Sequence, residues 1–475
     1  MKLFKVCKNL GSPLASLKAP GEDDRCGRAV ISQSAWPFFM MIFLAMLVSA
    51  CTSIQTSASP YDHISLTCYA ADPTGQIYSD IIIPNVPGQW IYHSAEYSQT
   101  IYGPFSLVPG LVSAVTKIFV PAKSYTSILD ECNEKIHAQY HDATLVNIYT
   151  IKTDNFVHDL YFTNEQINSA YPIKRLITFG DSLTDDSNDF RYISTLMRYD
   201  AAPGAYWNRT FTNGLVWADW VAGFKTYSTV GTGLNIPFEN YAWGGAFSTG
   251  KRNGMVPSLA DQVDSYLDYI DNNKSLNLAA DIPTTLYSLL VGGNDFVYTN
   301  HSPELVAAQV AEQMTKLIAR GARYFIIPTF PNIGIAPFAK TKGIGKKLTL
   351  DAQAYNNWLN KDINFNTNTI HIIRPDFAGY VMQLTSSQAL NYYHFDISKA
   401  CMMRGYFKIG PGHVCADPIH TLFWDGLHPN STLACVIGQQ TTDAIEVALG
   451  KPSTYKTNNE NELVANCEYS YEQPR

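Results

Sequence analysis

Charged residues are scarce in this chain of 475 residues, and an excess of positive charge is lacking. Asp, Glu, Lys and Arg make up 16% of the sequence, and 34 basic against 41 acidic side chains give a formal net charge of −7. Because a negative surface repels polyphosphates, the composition argues against a nucleic-acid-binding protein. Hydrophobic residues reach 46%, which is enough for a folded core and excludes disorder as the main state.

Several sequence signatures are also missing. The chain has no paired C-x-x-C spacing, so a zinc site, for which only His413 and Cys415 come into question, is disfavoured. It has no G-x-S-x-G string, which excludes the nucleophile elbow of ordinary lipases. It contains neither an internal repeat nor a low-complexity block.

No stretch of the sequence is apolar over the roughly 18 residues that a membrane-spanning helix needs. The apolar run at residues 38–48 (FFMMIFLAMLV) is shorter, and its length suits a secretory signal followed by the small residues Ser49 and Ala50. Two kinds of processing fit this segment: ordinary cleavage nearby, or a bacterial lipobox in which Cys51 is lipidated at the outer surface. We therefore expect a secreted or surface-attached protein.

Six of the nine cysteines follow this segment, and an even number in an exported protein predicts disulfides. The sequence allows several connectivities. Pairing of neighbours predicts Cys68–Cys132, Cys401–Cys415 and Cys435–Cys467.

Changes in composition and in the pattern of apolar runs along the chain predict five segments. They are a targeting segment (1–51), a Ser- and Thr-rich linker (52–62), a β-rich N-terminal domain (63–170), a larger α/β domain (171–451) and a polar tail (452–475). In the larger domain, apolar strand-like runs alternate with helical stretches, such as residues 303–320 with Gly321 as C-cap. This alternation predicts an α/β fold of three layers, a parallel sheet flanked by helices.

The string Gly180-Asp181-Ser182-Leu183 follows the strand-like run 174–179. It would place Ser182 at the carboxyl end of a sheet, where open α/β sheets hold their ligands, and near a helix N-terminus. By itself the string is equally typical of an ordinary turn.

The string Asp425-Gly426-Leu427-His428 offers a base. An Asp three residues before a His can accept from its Nδ1–H and leave Nε2 free to take a serine proton. Read alone, it is a surface turn.

Two further loops offer oxyanion donors. Residues 240–246 (NYAWGGA) contain the pair Gly244 and Gly245, whose backbone N–H groups can approach a substrate closely. Asn294 follows the apolar run 285–291 and supplies a side-chain amide. Each loop alone is also typical of a glycine-rich turn.

Together, the order of serine, glycine, asparagine and histidine elements resembles the GDSL, or SGNH, hydrolase superfamily over about residues 171–451. Residues 179–185 (FGDSLTD) with Asn188 and Phe190 are similar to the first block of bacterial secreted glycerophospholipid:cholesterol acyltransferases. Residues 208–217 resemble that branch's G-R-F-S-N-G-x-V-W segment, with Asn208 in place of the leading glycine. The region before Ser182 resembles thermolabile-haemolysin-like members only loosely.

The resemblance implies a triad of Ser182, Asp425 and His428. It implies oxyanion donors at Ser182 N–H, Gly245 N–H and the Asn294 side chain, with Gly244 as the alternative to Gly245. No metal or cofactor is needed.

The resemblance also implies a phospholipase A or lysophospholipase with sterol acyltransferase activity. Phospholipid or lysophospholipid would be the acyl donor and cholesterol or water the acceptor, with peripheral contact to a lipid surface. The alternatives are a carbohydrate or aryl esterase of the same superfamily and a non-enzymatic surface-binding protein.

Relatives in this branch carry a disulfide loop that a protease nicks to raise activity. The stretch from Cys401 to Cys415 resembles such a lid, with Arg404 and Lys408 as targets of an activating protease. The alternative is a structural staple.

Overall fold

A computed structural model of the chain describes residues 66–74, 76–82, 92–93, 115–121, 125–150, 157–163, 171–186, 188–190, 206–207, 210–225, 233–234, 236, 238–272, 278–363, 365, 369–402, 413–453 and 460–469. All of them belong to one compact unit, Ala58–Arg475. The predicted targeting segment, including Cys51, and the linker lie outside the described residues. The predicted domain boundary at residue 170 stays a prediction.

The strands of this part of the chain are β1 Leu66–Ala71, β2 Ile77–Ile82, β3 Tyr92–His93, β4 Val115–Pro121, β5 Thr144–Thr150, β6 Val157–Thr163, β7 Arg175–Gly180, β8 Phe224–Lys225, β9 Phe238–Asn240, β10 Thr285–Leu290, β11 Tyr324–Ile326 and β12 His371–Ile373. The helices are α1 Tyr125–Gln139, α2 Trp217–Ala222, α3 Leu259–Asn272, α4 Gly293–Tyr298, α5 Pro303–Ala319, α6 Pro337–Thr341, α7 Gly345–Asp362, α8 Phe377–Leu384, α9 Ser387–Tyr392, α10 Ser431–Ala448 and α11 Glu460–Tyr469.

A five-stranded parallel sheet forms the centre, in the order β12-β11-β10-β7-β9. Every residue of β10 is buried, as expected for a parallel strand that is covered on both faces. The predicted α/β class and its parallel sheet with flanking helices are therefore confirmed.

The helix predicted at residues 303–320 is α5. Ser302 caps it by accepting a hydrogen bond from the N–H of Leu305, and Pro303 occupies the first turn, where a missing N–H costs nothing. Gly321, just past its end, has φ of +107°, the left-handed conformation that favours glycine.

The region before the central sheet contains two further sheets. β2-β1-β5 is antiparallel, and β3-β4-β6-β8 is mixed. β8 lies beyond residue 170 in sequence, yet it pairs with β6. Helix α1 also lies in this region. Ile128, Cys132 and Ile136 are buried at helical i, i+4 spacing, a period that the sequence reading missed.

The structure contains all three disulfides that pairing of neighbours predicts. Cys68–Cys132 joins β1 to α1. Cys435–Cys467 joins α10 to α11, so part of the predicted polar tail is a helix tied to the catalytic region. In the described part of the chain, no helix is both long enough and apolar enough to span a membrane.

Helix α10 packs closely on α2 through Gly438. A Cβ at this position would lie 2.4 Å from the Cβ of Trp220 and 2.8 Å from the carbonyl oxygen of Trp217. The contact matters for the site because α10 begins three residues after His428. At its start, the Asn430 side chain caps the helix by accepting from the N–H of Leu433.

We expect Gly438→Ala to lower the free energy of unfolding by about 1–3 kcal/mol, because the added methyl overpacks the interface. This loss should exceed the gain of about 1 kcal/mol in helix propensity. Urea unfolding measures it. The control is Val447→Ala on the same helix, where the side chain is 50% exposed and the change should stay within about 0.5 kcal/mol. An unchanged midpoint for Gly438→Ala contradicts the prediction.

Candidate active site

Ser182 lies in the turn that leaves the carboxyl end of β7. The turn is held by hydrogen bonds from the N–H groups of Thr184 and Asp185 to the carbonyl of Asp181. Gly180 is required before it, because a Cβ there would lie 2.3 Å from the carbonyl oxygen of Leu290 on β10. A single turn directly follows the serine, and residues 188–190 beyond it are helical.

The structure brings Ser182, His428 and Asp425 together. His428 Nε2 lies 2.7 Å from Ser182 Oγ, and His428 Nδ1 lies 2.8 Å from Asp425 Oδ2. With Nδ1–H donating to the carboxylate, Nε2 is left as the acceptor for the serine hydroxyl. All three side chains are buried. The arrangement is that of a nucleophile, its base and the group that orients the base.

Asp425 is held in its charged form. Burial alone would raise the pKa of its carboxyl, but the charge of His428 and several hydrogen bonds outweigh burial, so the pKa lies below its usual value. The backbone N–H groups of Leu427 and His428 donate to Oδ1 at 2.8 and 2.9 Å. The carboxylate thus organises its own loop while it orients the histidine ring.

Two aromatic residues support this pair and were missed by the sequence reading. The hydroxyl of Tyr206 donates to Asp425 Oδ2 at 2.9 Å, and the Phe211 ring lies against His428 with 5.0 Å between ring centroids. Both are buried. No signal in the sequence marks Tyr206, because its contact with Asp425 spans more than two hundred residues.

The glycine pair follows β9, the strand beside β7. The N–H of Gly244 donates to Asp185 Oδ2 at 2.7 Å, so it is occupied within the protein. The N–H of Gly245 meets no acceptor among the described residues, and its φ of +80° is a conformation that favours glycine. Of the two candidates, the geometry thus favours Gly245 as the donor to a substrate.

Asp185 and Asn188 join the serine turn to this loop. The Asp185 carboxylate also accepts from the N–H groups of Asn188 and Asp189. The Asn188 amide donates to the carbonyls of Asn240 and Ala242 at 2.9 and 2.8 Å.

Asn294 lies in the first turn of α4, directly after β10, and the register of β10 with β7 brings it to the same sheet edge as Ser182. Its neighbour Asp295 binds the adjacent loop, accepting from the N–H and hydroxyl of Ser248 and from His301 Nδ1 at 2.7 Å. Burial raises the pKa of Asp295, which these contacts oppose. Asp295 therefore organises the loop around Ser248.

An apolar pocket begins at Ser182 and His428, and its empty space together with the solvent at its open mouth amounts to about 720 Å³. The remaining lining residues, mostly aliphatic or aromatic, are Leu183, Phe211, Thr212, Val216, Trp217, Leu290, Pro331, Asn332, Ile333, Phe377, Val381, Phe423, Leu427, Pro429, Leu433, Ala434 and Ile437. The pocket can hold an apolar group attached to a carbonyl at Ser182.

The Cys401–Cys415 disulfide lies beside the segment that leads to Asp425. The N–H groups of Cys401 and Met402 donate to the carbonyls of Phe423 and Trp424 at 2.9 and 2.6 Å. Residues 403–412, with the predicted protease targets Arg404 and Lys408, lie outside the described residues. Because Cys415 is oxidised, it offers no thiolate to zinc, and the described residues contain no cluster of metal-ligating side chains.

Residues 176–439 of this chain match the family model described as GDSL-like Lipase/Acylhydrolase. The thermolabile hemolysin of Vibrio parahaemolyticus is 27% identical over 220 residues, which are 46% of this chain and 48% of that protein. A GDSL esterase/lipase of Arabidopsis thaliana is 25% identical over 372 residues, covering 64% of this chain and 97% of that protein. The chain therefore spans about half the length of the hemolysin.

Asp181, beside the serine, is a buried carboxyl. Burial raises its pKa to about 7, and the charges of Asp295 and Asp185 add to the rise, against a hydrogen bond from Leu183 N–H and the charge of His428. A carboxyl whose pKa is higher in the folded than in the unfolded chain makes the protein less stable as pH rises between the two values.

We expect Asp181→Asn to abolish this loss, since asparagine keeps an oxygen for the Leu183 N–H. The free energy of unfolding of the wild type, relative to the variant, should fall as pH rises from about 4 to 7. Urea unfolding across this range measures it.

Asp396→Asn is the control. Hydrogen bonds from Ser398 overcome burial and lower the pKa of Asp396, so the difference in stability between the wild type and this variant should be constant above about pH 4 and change only below it. Parallel profiles for the wild type and Asp181→Asn would overturn the prediction.

Proposed function

The chain belongs to the family of GDSL-like lipases and acylhydrolases, and on that basis we propose that it is an exported lipolytic enzyme. Its acyl donors are phospholipid or lysophospholipid, and it acts through an acyl-serine intermediate.

In the proposed mechanism, Ser182 Oγ attacks the ester carbonyl while His428 Nε2 takes its proton and Asp425 stabilises the imidazolium. The N–H groups of Ser182 and Gly245 and the amide of Asn294 bind the oxyanion, and loss of one such donor typically costs ~10²–10³ in kcat. His428 then protonates the departing alcohol. An acceptor hydroxyl, activated by the same histidine, attacks the acyl-enzyme and regenerates Ser182.

The apolar pocket that opens at Ser182 and His428 is the observation that carries the proposal. Acetyl and other short acyl groups leave such a pocket empty, whereas a fatty acyl chain buries its methylene groups there. Each buried methylene contributes roughly 0.8 kcal/mol. The lining therefore favours a lipid acyl donor over a sugar acetate.

Transfer of the acyl group from Ser182 to a sterol is the more specific part of the proposal. It is supported by the likeness of residues 179–185, 208–217 and 240–246 to the glycerophospholipid:cholesterol acyltransferases. The sequence identity of 27% with a thermolabile hemolysin also supports an enzyme that acts on membrane lipid. Cholesterol and water are then competing acceptors, and the better-held acceptor determines the product.

Export and contact with a lipid surface belong to the same proposal. Three disulfides fit an oxidising compartment, and the apolar run at residues 38–48 fits an export signal. A net charge of −7 does not attract anionic membranes, so contact should be apolar or with zwitterionic lipid. A protease that cuts the loop between Cys401 and Cys415 would activate the enzyme if that loop covers the pocket.

An esterase of sugars or aryl alcohols is the alternative within the family, and the Arabidopsis relative is named both esterase and lipase. A purely binding role would leave the Ser182–His428–Asp425 hydrogen bonds without a use. Acyl-chain length separates the two enzymatic alternatives, because only a lipolytic enzyme gains from filling the pocket.

The proposal is tested by incubating the protein with phosphatidylcholine vesicles, with and without cholesterol and with and without limited proteolysis. We expect free fatty acid and cholesteryl ester, both lost in Ser182→Ala. Fatty acid alone would remove the transferase part of the proposal. Hydrolysis of only short aryl or sugar esters would favour the alternative.

Pocket filling gives a sharper test. Ala434 lines the pocket on α10, so we expect Ala434→Phe to lower kcat/KM for long-chain p-nitrophenyl esters by about tenfold or more and to spare the acetate, whose acyl group needs little room. The matched control is Val447→Phe, at a half-exposed position of the same helix. Equal losses for acetate and palmitate would contradict an acyl role for the pocket.

A further inference from the structure

Arg252 follows the loop of residues 240–246 by six residues, and the sequence analysis did not single it out. It opens a tight turn in which the N–H groups of Met255 and Val256 donate to the Arg252 carbonyl at 3.1 Å. Asn253 and Gly254 have φ of +54° and +72°, the left-handed pair that an Asn-Gly turn adopts. The turn fixes where the arginine side chain starts.

The guanidinium of Arg252 makes two contacts to helix α4. Nη1 donates to the side-chain oxygen of Asn294 at 3.2 Å, and Cζ lies 4.0 Å from the centroid of the Tyr298 ring. Asn294 and Tyr298 are four residues apart and so lie on one face of the helix. The arginine therefore clamps the face of α4 that carries the proposed donor.

The hydrogen bond determines which way the Asn294 amide points. A guanidinium can only donate, so it selects the carbonyl oxygen of the amide and turns the NH₂ group away from itself. Without that partner, oxygen and nitrogen could exchange places by rotation of the side chain. An amide turned the wrong way would present a lone pair to the oxyanion and repel it.

Arg252 also lies against the second donor. A Cβ built on Gly245 would be 2.9 Å from Nη1, so the guanidinium packs directly on this glycine. Among the described residues no carboxylate forms an ion pair with Arg252. Burial and the charge of Asp185 raise the pKa of Asp189 well above its ordinary value, and the charge of Arg252 opposes this rise.

We infer that Arg252 is a positioning residue of the oxyanion hole, which orients the Asn294 amide and packs against Gly245. The inference deepens the proposed function and depends on ester hydrolysis at Ser182, but not on the acyl chain or the acceptor. Arg252 acts through Asn294, so its contribution should vanish when Asn294 is absent.

The test is a double-mutant cycle on the full chain, with p-nitrophenyl acetate as a substrate that does not need the acyl pocket. We expect Asn294→Ala to lower kcat by ~10²–10³. Arg252→Met should lower kcat by about 10–100-fold, the loss typical of groups that orient metal ligands, with little change in KM. In the Asn294→Ala background, Arg252→Met should cost less than about threefold, because the group that it orients is gone.

Two further variants separate orientation from charge. Arg252→Lys keeps a positive charge and a donor but loses the planar fork, so it should retain part of the activity and guards against misfolding of Arg252→Met. Lys251→Met is the matched control. It removes the neighbouring positive charge, whose Nζ lies 3.9 Å from Asp261 Oδ1, and should leave kcat unchanged.

The outcomes are distinct. Losses that add in the double variant would overturn the inference, since Arg252 would then act independently of Asn294. A rise in KM with unchanged kcat would overturn it too, because it would assign Arg252 to substrate binding. Absence of any Ser182-dependent ester hydrolysis would overturn the proposed function and this inference together, a result that is separable from additive losses.

Discussion

The close contact between β7 and β10 is the constraint on which the rest of the site depends. Gly180 approaches the Leu290 carbonyl so closely that no side chain fits between them. Gln262 then holds Gly180 from α3, accepting from its N–H at 2.8 Å and donating to its carbonyl at 2.9 Å. The end of the strand that leads to Ser182 is therefore held by the backbone of Leu290 on one side and by the Gln262 side chain on the other. The loops after β9 and β10 emerge at the same edge, and this shared edge lets residues distant in sequence form one site.

Buried carboxylates fasten the site loops to one another. Asp185 links the serine turn to the loop of Gly244, Asp295 links the start of α4 to Ser248, and Asp425 binds the N–H groups of its own turn. A buried carboxylate is costly unless hydrogen bonds satisfy it, and backbone N–H groups need partners of their own. Each acid therefore stabilises a loop whose shape no regular secondary structure would impose. The acidic residues at this edge largely reflect loop architecture.

Much of the fold and of the site could be predicted from the sequence because both depend on strong local sequence patterns. Apolar strands that alternate with helices predicted the parallel sheet, and the strings at Ser182 and at Asp425–His428 predicted the three side chains that the structure brings together. The resemblance favoured Gly245 over Gly244, and the coordinates support this choice because the Asp185 carboxylate occupies the Gly244 N–H. Tyr206 and Arg252 were not predicted because their contacts depend on side-chain direction. Helix α1 was missed because its apolar spacing lies among strand-like runs.

The pocket has one more consequence, because its wall is also the protein's core. Val216, Trp217, Leu290, Phe377 and Leu433 line the pocket and at the same time belong to the main hydrophobic cluster. An acyl chain in the pocket would thus be packed by the same side chains that hold the helices on the sheet. Substrate length and core packing are therefore linked, and a sequence change that reshapes the pocket for another chain length also alters the interior on which the fold rests.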